Sequence, residues 1–187
     1  MSIETKSSVI NGIDVAKVEQ LAQGCANDPR NAGVKFATST RWTGGTSSAS
    51  RVTGYELAGR RIPRTFAIVS DEPQELCGGN TAPNPQELLM SSLASCMMVG
   101  IVANASLMGV KLDSVVIDVD GKLDLRGFLG LDQAVKPGYD ALHYTIRIKG
   151  DGTPEQFQKI HEAVIATSPN RFNVSNPIKL TSELVVE

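Results

Sequence analysis

The sequence predicts an α+β fold in which antiparallel sheets pack around one long central helix. Three features carry that prediction. From Leu88 to Met108, inside a run that starts at Asn84, no side chain is ionisable except the Cys96 thiol, so in water this helix must be buried around nearly its whole circumference. Before it, segments between Val34 and Ser70 alternate apolar and polar residues and are joined by short Gly-containing turns, the pattern of an antiparallel meander. After it come two more alternating segments, a helical pattern and a last strand-like stretch. The predicted order is therefore helix, three strands, long helix, two strands, helix, strand.

At 187 residues the chain fits one domain. A formal net charge of −2 gives no electrostatic reason to expect nucleic acid or an anionic membrane surface as partner. Cys25, Cys77 and Cys96 form no C-x-x-C pair, and an odd count fits a disulfide framework poorly, so a reducing, cytoplasmic setting is expected. No basic-then-apolar leader opens the chain. The central run reaches the roughly 20 residues that crossing a bilayer requires. It carries Ser91, Ser92, Ser95, Asn104 and Ser106, however, and lacks flanking Lys/Arg clusters and an aromatic belt. A buried helix of a soluble protein is the expectation, with a single membrane span as the rival.

Taken in order, Asn11 to Asn27 reads as a first helix with Asn11 as N-cap and Val18, Leu21, Ala22 and Cys25 at helical spacing. Strands are expected from Val34 to Trp42, from Ser48 to Leu57 and from Ile62 to Ser70, the last two separated by Ala58-Gly59. Arg51, Arg60, Arg61 and Arg64 are expected to solvate exposed faces and rims. A loop rich in Gly and Pro follows from Asp71 to Pro83 and contains Cys77. At Asn84 the helix signals are dense: Asn84 can cap, Pro85 suits the first helical position, and Glu87 completes a capping box. Gly100 permits a bend or the close approach of another helix, and Gly109 ends the run as a C-cap. Leu112 to Leu125 and Ala141 to Lys149 read as strands, with a bulge placed at Gly121-Lys122. A helix from Glu155 to Thr167 buries Phe157, Ile160 and Val164, and Ile178 to Val186 is expected to supply the final strand.

Chemistry-bearing residues are few. His143 and His161 are too sparse for a metal site, and no zinc-type pair, dinucleotide-binding glycine pattern, phosphate-binding loop or nucleophile elbow occurs. No metal and no resident cofactor are expected. Cys96 remains, on a helix where a cysteine is ordinarily a core residue.

The stretch DEPQELCGGNTAPNPQELLMSSLASC resembles the central motif of the OsmC/Ohr family of osmotically induced and organic-hydroperoxide-resistance proteins. The similarity in element order extends from about Val34 to the C-terminus, with residues 1–30 as an N-terminal helical extension and 31–187 as the OsmC-like domain. The resemblance implies an intertwined homodimer with a reactive thiolate at Cys96, a resolving cysteine near the end of the last helix, and an Arg and a Glu that organise the thiol. This chain departs from that pattern. The resolving position falls on Ser168, whose hydroxyl cannot form a disulfide. The Arg position falls on Thr46, with Arg51 or Arg41 as substitutes, and the acidic position falls on Gln86, one residue before Glu87. Two readings of Glu87 stay open, a structural capping box and a site role across the dimer interface. Two functions are likewise carried forward. One is a hydroperoxide reductase using Cys96, with resolution by Cys77 or by an external thiol or dithiol. The other is a non-catalytic protein that binds a small apolar molecule in a pocket at the dimer interface.

Overall fold

Backbone geometry at Asn11-Gly12 sets the first element of the structure, a computed structural model that describes residues 9–187. Both residues have positive φ, 51° and 79°, the left-handed pair that a two-residue hairpin turn demands. They join β1 (Val9–Ile10) to β2 (Ile13–Asp14) in an antiparallel pair. Asn11 is therefore a turn residue and not the expected N-cap. Asp14 caps α1 (Val15–Asn27), its carboxylate accepting from the Lys17 N–H at 3.3 Å. Of the expected N-terminal extension, residues 1–8 lie outside the described residues.

The chain divides into two compact units, up to Leu89 and from Met90 onward. The first holds a sheet built on β5 (Ser47–Leu57). The single strand expected from Val34 to Trp42 is broken into β3 (Val34–Phe36) and β4 (Ser39–Gly44), both antiparallel to β5, while β6 (Arg60–Ser70) pairs along its other edge. Ala58 and Gly59, with φ of 49° and 73°, close the β5–β6 hairpin. Arg64 does more than solvate a rim. Its guanidinium lies 5.1 Å from the Tyr55 ring centroid, 5.6 Å from that of Phe66 and 6.0 Å from that of Phe36, a cation–π arrangement.

The helix start is built as its sequence requires. In α2 (Pro85–Leu107) the Asn84 side chain accepts from the Glu87 N–H and the Glu87 carboxylate accepts from the Asn84 N–H, each at 2.8 Å. The end is a Schellman motif: Gly109, at φ 73°, donates to Ser106 O, and Val110 donates to Ala105 O. Only one stripe of α2 is buried, however. Leu93, Met97, Ile101 and Ala105 recur every fourth residue and are at most 3% exposed, whereas Val99 is 69% exposed. The expectation of burial all round is not met within the described chain, because the other core elements of the second unit cover one side of the helix.

The elements of the second unit after α2 are β7 (Leu112–Gly121), α3 (Leu125–Phe128), β8 (Leu142–Gly150), α4 (Pro154–Thr167) and α5 (Pro169–Ser175), of which β7, β8 and α4 supply the core. β7 and β8 pair antiparallel, and their Val115, Ile117, Val119, Tyr144, Ile146 and Ile148 pack on the α2 stripe together with Ile160 and Val164 of α4. A fully buried aliphatic side chain of this core, such as Ile101, Ile160 or Val164, contributes roughly 1.5–3 kcal/mol. Gly100 serves the close approach: a Cβ there would lie 3.1 Å from Val164 Cγ2. The bulge lies between Leu112 and Ser114, not at Gly121-Lys122. Gly121 has a packing role instead, since a Cβ on it would meet Leu142 Cδ2 at 2.5 Å. A capping box of Thr153 and Gln156 starts α4. The strand expected at Ile178–Val186 is absent. Strand-like composition alone cannot make a strand without a partner edge; this stretch pairs with none among the described residues and leaves Leu180 and Leu184 87% exposed.

Candidate functional site

Cys96 lies on α2 directly before the buried Met97, at the flank of the core stripe, and is half-buried and free. The α4–α5 junction comes to it. Ser168 terminates α4, its N–H donating to Val164 O at 3.0 Å, and also caps α5, its Oγ accepting from the Arg171 N–H at 3.4 Å. The Ser168 hydroxyl is 3.4 Å from Cys96 Sγ, to which it donates, and the Asn170 N–H donates to the same sulfur at 3.5 Å. Asn170 is fixed in turn by its own amide, which donates to Ser92 O, one helical turn before Cys96, at 2.9 Å. Arg171 points elsewhere: its guanidinium donates to the Tyr144 hydroxyl at 3.2 Å and to Ile165 O at 3.1 Å.

Of the residues singled out in the sequence, Cys96 and Ser168 are thus brought together across 72 positions of chain. Glu87 is engaged with Asn84. It lies nine residues before Cys96 on the same helix, about 13 Å along the axis. Gln86 occupies the first turn of α2, while Arg41 and Arg51 stand exposed on β4 and β5. No arginine among the described residues donates to Cys96. Cys77 is exposed, with φ 64°, at the end of a short 3-10 helix. Asn170 was missed, and only its position two residues after Ser168 pointed towards it.

A second polar cluster, also missed, surrounds Asp71 in the first unit. Its carboxylate accepts from Thr46 Oγ1 at 2.6 Å, Thr81 Oγ1 at 2.8 Å, the Glu72 N–H at 2.9 Å and the Thr81 N–H at 3.1 Å, and it is 1% exposed. The Thr46 hydrogen bond, then that of Thr81, hold this carboxyl well below the usual carboxylate range. Thr46, at the position where the resemblance put an arginine, therefore binds this carboxylate. The clamp pins a tight loop: a Cβ at Gly78 would collide with the Glu72 carbonyl oxygen. Among the described residues no group of three or more His, Cys, Asp or Glu side chains is placed to hold a metal ion.

The second unit also contains a cavity of about 280 Å³, lined chiefly by Ile101, Tyr144, Ile146, Phe157, Ile160 and His161.

Residues 78–183, more than half of the chain, match the model of the family described as OsmC-like protein. No curated protein matches. Among solved structures, an OsmC-like protein from Mycoplasma pneumoniae is 14% identical, with 76% of this chain and 89% of that chain covered at a TM-score of 0.60. A protein from Psychrobacter arcticus, described as an osmotic stress induced and detoxification response protein, is 17% identical over 75% of this chain and 88% of that one, at a TM-score of 0.56. An OsmC-like protein of unknown function from Vibrio cholerae is 13% identical over 81% and 99%, at 0.51. At these identities the likeness is one of fold, a mixed α+β architecture with antiparallel sheets and a long helix.

Proposed function

The chain belongs to the family of OsmC-like proteins, and we propose that it is a one-cysteine organic hydroperoxide reductase with Cys96 as the nucleophile. The observation that carries this reading is the Ser168 hydroxyl 3.4 Å from Cys96 Sγ, in the place where a resolving thiol would have to stand. The Cys96 thiolate attacks the terminal oxygen of the hydroperoxide. The O–O bond breaks, sulfur keeps that oxygen as a sulfenic acid, and the alkoxide takes up a proton and leaves as alcohol. Ser168 cannot capture the sulfenic acid, so an external thiol attacks the oxidised sulfur, breaks the S–O bond and releases water. A second thiol, or the other arm of a dithiol, then attacks the mixed disulfide and returns Cys96 as a thiol. The electrons come from the thiols, and no resident metal or cofactor takes part. In this reading Ser168 lines the site without turning over, and Glu87 acts as a cap.

A second copy of the chain is the proposed partner. The exposed side of α2, including Val99 at 69% exposure, is apolar surface that a homodimer would cover. By length and composition α2 could cross a membrane, but its buried stripe forms the core of the second unit, which supports a soluble protein, and the three free thiols fit the proposed cytoplasmic setting. The test mixes purified full-length protein with cumene hydroperoxide and dithiothreitol. Consumption by the unmodified protein and none above background for Cys96→Ser is expected, and undiminished consumption by Cys96→Ser would overturn the reading.

The cavity beside Ile101 and Tyr144 favours a second reading, in which the fold binds a small apolar molecule and the thiol is inert. Intact mass after hydroperoxide treatment separates the two, since rapid addition of oxygen at Cys96 contradicts an inert thiol.

A further inference from the structure

We infer that Ser168 and Asn170 are the positioning residues of Cys96, together forming a two-donor cradle that stabilises negative charge on its sulfur in place of an arginine. The inference rests on the reading of Cys96 as the reactive atom, and it concerns what makes that atom reactive.

Ser168 Oγ already accepts from the Arg171 N–H as the cap of α5. That bond fixes the oxygen and leaves its one proton to point elsewhere, and 3.4 Å away the acceptor is Cys96 Sγ. Asn170 supplies the second donor through its main chain, at 3.5 Å. Its side chain ties this donor to the helix that carries the cysteine by bonding Ser92 O. A main-chain N–H on α5 is thus referenced to the same turn of α2 that presents the thiol. Hydrogen bonds to the charged form of a group favour that form. The serine that cannot form a disulfide therefore has a different part: it holds the anion before oxidation and donates to the oxygen added after it.

The test is the pH–rate profile of iodoacetamide alkylation, read at the Cys96 peptide by mass spectrometry in the full-length protein so that Cys25 and Cys77 are scored apart. Ser168→Ala is expected to slow alkylation at neutral pH by about threefold to tenfold, the thiolate loss that follows from removing one hydrogen bond, and to move the profile to higher pH, whereas Asn170→Ala keeps the main-chain N–H, loses only its tether to Ser92 O and is expected to slow alkylation less. Asn170→Pro removes the N–H as well as the side-chain tether, in a helix first turn where proline is tolerated, and is expected to slow the reaction at least as much as Asn170→Ala. Ser168→Thr retains both cap and hydroxyl and is expected to restore the unmodified profile. Profiles of Ser168→Ala and Asn170→Pro that superimpose on the unmodified one would overturn the cradle, as would a Ser168→Thr profile displaced as far as that of Ser168→Ala. If either loss-of-donor variant fails to fold, the remaining variants still decide. Alkylation uses no hydroperoxide, so failure here and failure of the reductase reading are distinguishable.

Discussion

Asp71 and Cys96 are each held by serine or threonine hydroxyls and main-chain N–H groups, yet the two clusters have opposite character. Four donors at 2.6–3.1 Å saturate the Asp71 carboxylate, which is sealed from solvent. Cys96 receives two longer hydrogen bonds and stays partly exposed. A fully satisfied anion is a structural clamp, because nothing remains for a substrate to meet. A sulfur with two donors and an open side leaves room for a substrate, which is what the proposed reading of Cys96 requires.

That contrast is most sharply broken by exchanging effects between the clusters. Cys96→Ser is expected to abolish hydroperoxide-dependent thiol oxidation to background while leaving the thermal midpoint nearly unchanged, measured by a coupled assay and by calorimetry on the same sample. Asp71→Ala is expected to do the reverse. It strands Thr46, Thr81 and two N–H groups, so it lowers Tm clearly, while the folded fraction keeps its Cys96 alkylation rate. Loss of alkylation with an unchanged Tm would put Asp71 in the wrong class.

The clamp also has a pH signature. The folded-state value of Asp71 is depressed, chiefly by the Thr46 hydroxyl, so folding favours the ionised form. Its stabilising contribution is complete above the ordinary aspartate value of about 4 and is lost as pH falls below that towards the folded value. Denaturant midpoints followed downward from pH 5 are expected to fall less steeply in Asp71→Asn than in the unmodified protein. Parallel curves would remove the clamp from the acid response. The smallest effect belongs to the helix start, where Asn84→Ala is expected to cost about 1 kcal/mol of stability in urea unfolding and to leave Cys96 chemistry untouched. A loss of reductase activity in Glu87→Gln, with stability unchanged, would return Glu87 to the site.

How legible each part was in the sequence depends on the range of the interactions that make it. Asn84, Pro85 and Glu87 interact within one helical turn, Gly109 closes the helix locally, and Ala58-Gly59 forms a two-residue turn. Such signals can be read without knowing the fold. Asn11-Gly12 was equally local and was misread, because a turn and a cap draw on the same residue type and the positive φ of both residues decided between them. The stretch Ile178–Val186 is strand-like in composition, but a strand is a relation to a neighbouring edge that no single segment specifies. At the site, Cys96 and Ser168 were found through motif resemblance. The Asn170 bond to Ser92 and the Thr46 bond to Asp71 were not, for they join residues 78 and 25 positions apart through side chains whose types are common in loops.

The reactivity assigned to Cys96 is tested most directly by site-resolved trapping of sulfenic acid. Full-length protein is exposed to equimolar cumene hydroperoxide with dimedone present and no reducing thiol, then digested and analysed by mass spectrometry. The expected result is rapid, near-stoichiometric labelling of the Cys96 peptide, ahead of Cys25 and of the exposed Cys77. Labelling that favours Cys77, or a Cys96 peptide that stays unmodified while hydroperoxide is consumed, would contradict it.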